Sequence, residues 1–375
     1  MGTAMHETRE ARVPGDAVTT EAVPAGTVPG SGRLRVAVIG GGQSCEHDVS
    51  LATAASVGEA LEARDVDVVR LTIGRDGRWF DGYGSLGDGV GVSLTAAVGI
   101  LSGCDVAFPA VHGPRGEDGT LAGLLDLAGI PYVGSGVRGG ALAMDKWTTK
   151  LVARELGIAV AGGRLVDARS PLPTVRSFPV VVKPVASGSS HGVTVAHDDV
   201  ELRASVTRAG LLDERVLVED FVAGREIDVA VLETADGARV VGPPLEIVVP
   251  TGGVFDTADK YDGDPTFLLP APVSPAEHAA LREAALALFD ALGCHGVARF
   301  DFFLSPVHGL VLNEVNTMPG MTATSQVPKM FAALGTRYED LVEGLVLAAA
   351  AARAAGQVPT GAVPPRAVTM RGSAA

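Results

Sequence analysis

The stretch from 297 to 316 constrains this chain more than any other. Two apolar runs, 297–304 and 310–315, flank the turn-type cluster Ser305-Pro306-Val307-His308-Gly309 and predict a β-hairpin. Strand side chains alternate faces with period two, so Arg299 and Asp301 share a face, and so do Glu314 and Asn316. An otherwise apolar hairpin buries two carboxylates only where a cation or a partner compensates them. Hard oxygen donors of this kind suit Mg²⁺, which takes one or two carboxylates and leaves its other positions to water and nucleotide phosphates. The alternative is a surface hairpin with two solvated acids.

The chain's 375 residues, 47% of them hydrophobic, suffice for two or three domains and a large core. Forty-four acidic residues against 30 basic ones leave a net charge of −14, which argues against a general nucleic-acid binder. A local basic pocket for a nucleotide remains compatible with that charge. The three cysteines, Cys45, Cys104 and Cys294, have neither disulfide nor zinc spacing, and a reducing cytosol is their natural compartment. Residues 1–33 have scattered acids, prolines and glycines and no apolar core segment, so a disordered extension rather than a signal peptide is expected. The apolar run 341–352 is too short and too charged to span a bilayer and reads as the last helix, followed by a loose tail from 356.

Strands are expected at 34–39, 66–72 and 105–109, with helices at 49–63 and 120–128 between and after them. This alternation predicts a parallel α/β unit. Gly40-Gly41-Gly42 opens its first helix, but Cys45 stands where a dinucleotide fingerprint needs a third glycine. Such a turn remains an anion or carboxylate site without cofactor specificity. A helix over 141–156 is expected to carry Met144, Trp147, Leu151 and Val152 as its apolar stripe, with Lys146 and Lys150 elsewhere on the cylinder. Strands at 178–184, 193–196, 216–219 and 226–232 follow, then a polar loop over 250–270 of a length usually functional, then a helix at 275–291.

Lys183 ends a β-branched strand just before the small-residue loop Ala186-Ser-Gly-Ser-Ser-His-Gly192, a setting that lets backbone N–H groups approach phosphates. Without a closing Gly-Lys-Ser/Thr it is no Walker A loop, and an ordinary strand-end lysine is the alternative. Gly188-Ser-Ser190-His-Gly192 also matches the G-x-S-x-G elbow of hydrolases, yet an elbow turns directly into a helix and Val193-Thr-Val-Ala reads as strand. Glu219-Asp-Phe-Val222 leaves a strand where it can frame an adenine or form a solvated turn. His112, in His112-Gly-Pro-Arg-Gly-Glu117-Asp118, follows the third parallel strand, where such folds bind ligands; a satisfied structural histidine is the other possibility.

Taken in order, GGQSCEHDVS, HGPRGEDGT, MDK, VVKPVASGSSHG, VEDFVAGRE, DKY, ARFDFF and NEVNTMPGMT closely resemble the D-alanine–D-alanine ligases, ATP-grasp enzymes of peptidoglycan synthesis. The resemblance covers about 34–350. It implies an α/β fold of three domains: an N-terminal parallel α/β substrate domain at 34–137, a central ATP-grasp domain at 138–222 and a C-terminal one at 223–355, with the lid loop at 250–270.

By the same resemblance, Lys146, Lys183 and Lys260 contact ATP phosphates, and Ser189 with its neighbouring glycines forms the phosphate-covering loop. Glu219, Phe221 and Val222 frame the adenine, Glu226 binds the ribose, and Asn313 belongs to the nucleotide site. Asp301, Glu314 and Asn316 bind two Mg²⁺ ions, with Mn²⁺ as a substitute. Glu46 takes the ammonium of the first D-alanine, with Val49 and His112 alongside. Arg299 and the Gly320 N–H stabilise the oxyanion, Ser325 and Gln326 adjoin the second substrate, and Tyr261 connects through Ser189 to Glu46. A cytoplasmic homodimer, acting on small molecules and not on nucleic acid or membrane, is also implied.

Thr257 and Gln326 depart from residues common in relatives near the second-substrate pocket, so D-alanyl-D-serine or another specialised ligase stands beside simple D-alanyl-D-alanine synthesis. Tyr261, where ester-forming relatives carry phenylalanine, implies an amine nucleophile. A non-catalytic nucleotide-binding relative would have lost a metal ligand or the oxyanion arginine, and all are present. Cys45, beside Glu46, makes sensitivity to thiol reagents a further expectation. Because residues 1–33 cannot bury a core, a chain lacking them is expected to express and turn over like the full chain; loss of soluble expression would refute this.

Overall fold

The computed structural model describes residues 33–172, 174–248 and 266–354. The expected N-terminal extension (apart from Arg33), the C-terminal tail, most of the lid loop, and Thr257, Lys260 and Tyr261 within it lie outside the described residues.

Three sheets organise the chain. In the first, Arg35–Gly41 pairs in parallel with Asp67–Ile73 on one side and Val106–Pro109 on the other. Trp79–Asp81 and Gly84–Ser85 extend its edge antiparallel. The central strand is buried almost throughout, which is why it reads as a continuous apolar run rather than an alternating one. The carboxyl ends of its strands deliver the loops that carry Glu46 and His112 to one edge, the usual ligand-binding end of a parallel sheet.

The second sheet is antiparallel, in the order Gly163–Asp167, Arg215–Asp220, Val180–Pro184, Thr194–Ala196. The segment after Gly192 is thus a strand, and G-x-S-x-G here is no strand-to-helix elbow. The third sheet runs Thr266–Leu268, Leu245–Val248, Arg225–Glu233, Val297–Ser305, Gly309–Asn316, Ala159–Val160. Helix Pro275–Leu292 covers one of its faces. Ser274 and Glu277 form a capping box at its start, Pro275 occupies the first turn, and Gly293 closes it in the left-handed conformation. Phe289 of that helix, Phe300 and Phe302 are fully buried between helix and sheet.

The helix expected over 141–156 is two helices, Val137–Met144 and Lys146–Glu155. Asp145 is extended between them, and its side chain accepts the Thr148 N–H as an N-cap. The expected apolar stripe is also corrected: Lys146, Thr149, Lys150 and Ala153 form the buried face, while Leu151 is 47% exposed. The second helix has a start and phase of its own, and its lysines find buried carboxylates to meet.

A polar tie joins the first sheet to the loop after the large sheet. Glu117 accepts the Gly113 N–H through Oε2 at 2.8 Å and the Met318 N–H through Oε1 at 3.0 Å. His112 Nδ1 lies 2.8 Å from the Met318 carbonyl, its Nε2 lies 2.9 Å from Thr53 Oγ1, and its main-chain N–H donates to Ser50 Oγ. A carbonyl only accepts, so Nδ1 carries the proton and Nε2 accepts from Thr53. That neutral state agrees with burial pushing the His112 pKa down.

Burial, and then the Glu46 charge, push Glu117 up to about 8 from its ordinary 4.5. Between those two values the folded chain binds a proton that the unfolded chain has lost. The group's contribution to stability therefore falls as pH rises through that window, by at most about 1.4 kcal/mol per pH unit. Part of its side chain opens on a cavity, and water there damps the effect. Urea midpoints of Glu117→Gln are expected to fall less steeply than wild type between about pH 5 and 8. Parallel profiles would mean that Glu117 is ionised in the folded chain.

Candidate active site

The hairpin forms one wall of the site. Arg299 stands opposite Asn316, and Asp301 stands opposite both Glu314 and, on the other neighbouring strand, Asp228. Directly opposed residues point to the same face, so five polar side chains share it. Arg299 donates from Nε and Nη2 to the two Asp301 oxygens, each at 2.7 Å, and its Nε lies 3.3 Å from Asp228 Oδ2. Asn316 Nδ2 donates to Asp301 Oδ2 at 3.0 Å. Burial works against the guanidinium, yet Asp301 and Asp228 hold its pKa above the usual value. Asp228, 0% exposed, escaped the sequence reading; its period-two spacing from Glu226 was the available signal.

The pairing register shifts between Asp301 and Phe302, which leaves Asn313 as the extra residue of a bulge. Asn313 Oδ1 accepts from Lys183 Nζ at 3.0 Å, while the next residue, Glu314, meets Lys146 Nζ at 3.1 Å. Both lysines have a second partner: Lys146 donates to the Ser187 carbonyl at 2.6 Å, and Lys183 meets Glu219 at 2.5 Å. Lys150, 1% exposed, meets the other Glu219 oxygen at 2.9 Å. Burial brings Lys150 down to about 8. Burial also disfavours the Glu219 carboxylate, but Lys183 and Lys150 together hold it below the ordinary range. The sequence puts Lys150 off the apolar stripe and gives it no role; its place one turn after Lys146 is the local signal that the two share a face.

These groups line a cavity of about 310 Å³ between the second and third sheets. Lys183 and Glu219 face it from one sheet and Glu226 and Asn313 from the other, with Phe221 and Val222 at the strand exit. Phe221 is 42% exposed, an apolar ring offered to an occupant. A cleft with a conjugated cover at one end and lysines at the other suits a nucleotide.

A second cavity, of about 410 Å³, shares Glu226 and Glu314 with the first. Glu46, Val49, His112, Arg299, Gly320 and Ser325 line it, and Gln326 and Ser189 complete the set expected from sequence. Glu46 precedes helix His47–Glu62 without capping it through its side chain. Its Oε1 accepts from the Ser189 hydroxyl, while Oε2 is buried with no hydrogen-bond partner among the described residues. A Cβ on Gly113 or Gly188 would come within 2.6 or 2.4 Å of that oxygen and push the Glu46 carboxylate aside, and Gly113 also holds a left-handed backbone, φ 77°. A buried carboxylate oxygen left over in a walled cavity suits an ammonium ligand. Ser189 and Ser190 hold left-handed backbones, φ 49° and 57°, a strained geometry typical of functional loops. Burial, then Glu46, push the Cys45 thiol up, which works against the expected thiol reactivity.

The described candidate residues therefore converge on two joined cavities. Among the described residues, no three His, Cys, Asp or Glu side chains form a metal cage of their own. Asp301, Glu314 and Asn316 offer two carboxylates and an amide on one strand pair, a hard-oxygen set that fits Mg²⁺ with phosphate and water as its other ligands. No helix among the described residues is long and apolar enough to cross a membrane.

Family models described as the D-ala D-ala ligase N-terminus and C-terminus match residues 35–135 and 167–347. A D-alanine–D-alanine ligase of Syntrophotalea carbinolica is 41% identical over 319 residues, covering 84% of this chain and 96% of its own. One from Deinococcus radiodurans is 40% identical, covering 84% and 98%. The solved D-alanine–D-alanine ligase of Coxiella burnetii superposes with a TM-score of 0.72 at 29% identity, over 87% of this chain and 96% of that one. A D-Ala:D-Ser ligase from Enterococcus faecalis gives 0.70 at 30% identity, over 85% and 100%. With both halves matched and the nucleotide cleft opening on the Glu46 cavity, the chain belongs to the D-alanine–D-alanine ligase family of ATP-dependent, ATP-grasp enzymes.

Proposed function

We propose that the chain joins two D-alanines with ATP, through D-alanyl phosphate, to give D-alanyl-D-alanine, ADP and phosphate for peptidoglycan precursors. The observation that carries this is the junction of the two cavities at Glu314, which brings a lysine-lined nucleotide cleft against a pocket holding Glu46 and Arg299. The buried Oε2 of Glu46 binds the ammonium of the first D-alanine and turns its carboxylate toward the γ-phosphate. Glu219, Phe221 and Val222 frame the adenine, Glu226 holds the ribose, and Lys146, Lys183 and Lys260 take the phosphates. Phosphate oxygens replace Glu314 and Glu219 as partners of Lys146 and Lys183.

Asp301, Glu314 and Asn316 would hold two Mg²⁺ ions, which when bound would neutralise the phosphate charge. The second amine attacks the acyl carbon and phosphate leaves. Arg299, already fixed by Asp301 and Asp228, and the Gly320 N–H stabilise the oxyanion without reorganising. Ser189, linked to Glu46, covers the reacting groups and keeps water from the acyl phosphate, with Tyr261 completing the link. The same reading makes the enzyme a cytosolic homodimer.

Phosphate release from ATP and Mg²⁺ with D-alanine, with products identified by mass, is expected to show D-alanyl-D-alanine. Product only when D-serine or D-lactate is added would keep the chemistry and move the second substrate. Asp301→Asn is expected to lower Mg²⁺-dependent turnover about a hundredfold or more with the circular-dichroism spectrum unchanged; wild-type turnover would remove Asp301 from the metal site.

A further inference from the structure

The second amino acid brings a carboxylate that takes no part in bond formation and stays charged throughout. The cavity that must receive it carries the carboxylates of Glu46, Asp301 and Glu314, beside Glu117, which holds its proton up to about pH 8. Without a cation aimed at that carboxylate, these acids repel the nucleophile. Among the described residues, two cationic side chains line the cavity, Arg299 and Lys329. Arg299 is taken up by Asp301 and Asp228.

Lys329 differs. It lies on helix Gln326–Ala333, four residues beyond the helix's N-cap Ser325, so the two belong to neighbouring turns of one face. Among the described residues its ammonium has no carboxylate partner and rests 4.8 Å from the centroid of the Phe267 ring, which lines the same cavity. A ring face holds an ammonium loosely and leaves its N–H groups for an anion. Ser325 Oγ is turned to the Thr322 N–H at 3.1 Å and gives its own helix no cap, so a hydroxyl and an ammonium face the cavity together.

Resting on the ligase reading above, we propose that Lys329 binds the carboxylate of the second substrate and thereby orients its amine toward the acyl carbon. The pocket selects a free amino acid over one whose carboxylate is capped or amidated. Ser325 supplies a hydrogen bond, whereas Lys329 supplies the charge that offsets the surrounding acids.

The test compares two nucleophiles, D-alanine and D-alaninamide, whose carboxamide removes the charge and keeps the shape. D-Alanine at a level that saturates the first position is held with ATP and Mg²⁺, and the two products are separated by mass. Wild type is expected to prefer D-alanine by about tenfold or more in kcat/KM, the factor carried by a charge-assisted hydrogen bond. Lys329→Met is expected to collapse that preference through KM for the second D-alanine, with KM for ATP and for the first D-alanine unchanged, and Lys329→Arg is expected to restore most of it. Should the methionine variant fail to fold, Lys329→Gln carries the same comparison. A dipeptide-forming variant that keeps the wild-type preference overturns the proposal, as does a KM rise shared equally by ATP and both D-alanines. Absence of any dipeptide from wild type instead removes the ligase reading beneath it.

Discussion

The structure depends on a charge problem solved inside a sheet. Asp228 and Asp301 sit side by side on adjacent strands with almost no exposure, and Arg299 lies against both. Removing the cation would take the guanidinium charge from two buried carboxylates at once, an arrangement far costlier than the intact group. The same alternation of charge continues outward through Glu314 with Lys146, and through Glu219 with Lys183 and Lys150. Arg299 is held by both aspartates before any substrate arrives, while the outer lysines hold carboxylates that phosphate can replace. Such preorganisation is what stabilising a developing oxyanion requires.

The three sheets contribute unlike parts to this arrangement. The parallel sheet supplies the loops with Glu46 and His112 from its strand ends, the small antiparallel sheet supplies Lys183 and the Ser189 loop, and the large sheet supplies the wall. The parallel and large sheets share one apolar cluster, with Val36, Val38 and Phe108 on one side and Ala230, Leu245 and Val297 on the other, and polar contacts add direction between the sheets: Ser189 to Glu46, Glu117 and His112 to Met318, Lys183 to Asn313. Polar ties of this kind specify relative position more sharply than apolar contact, because each bond has a direction. Glu117 and His112 hold the segment at Met318 that leads to Gly320, so that loop is placed from the parallel-sheet side as well as by the strand that precedes it.

The hairpin was legible because period-two alternation places Arg299, Asp301, Glu314 and Asn316 on one face whatever the surrounding fold. The parallel unit was legible from its strand–helix alternation. Lys150 was not, because amphipathic reasoning puts lysines in water and only tertiary pairing with Glu219 brings this one inside. Nor was the break at Asp145, where a short polar side chain caps a helix inside a segment with helical spacing. Glu117 is satisfied by backbone N–H groups from two distant loops, and no local pattern encodes those partners. The parts played by Glu46 and Ser325 came through resemblance, since a single acid or hydroxyl in a loop carries no periodic signal.

The bulge at Asn313 has an evolutionary corollary. A bulged residue is an insertion that leaves the pairing on either side in phase, so Leu312 still faces Phe302 and Glu314 still faces Asp301. A strand one residue shorter here would keep Glu314 and Asn316 opposite Asp301 and Arg299 and lose the Asn313 side chain from the lysine-lined cavity, with its contact to Lys183. The Lys183 contact and the Asp301–Glu314–Asn316 cluster thus begin on consecutive residues yet are separable, and a lineage can change the first by a one-codon deletion without rebuilding the second.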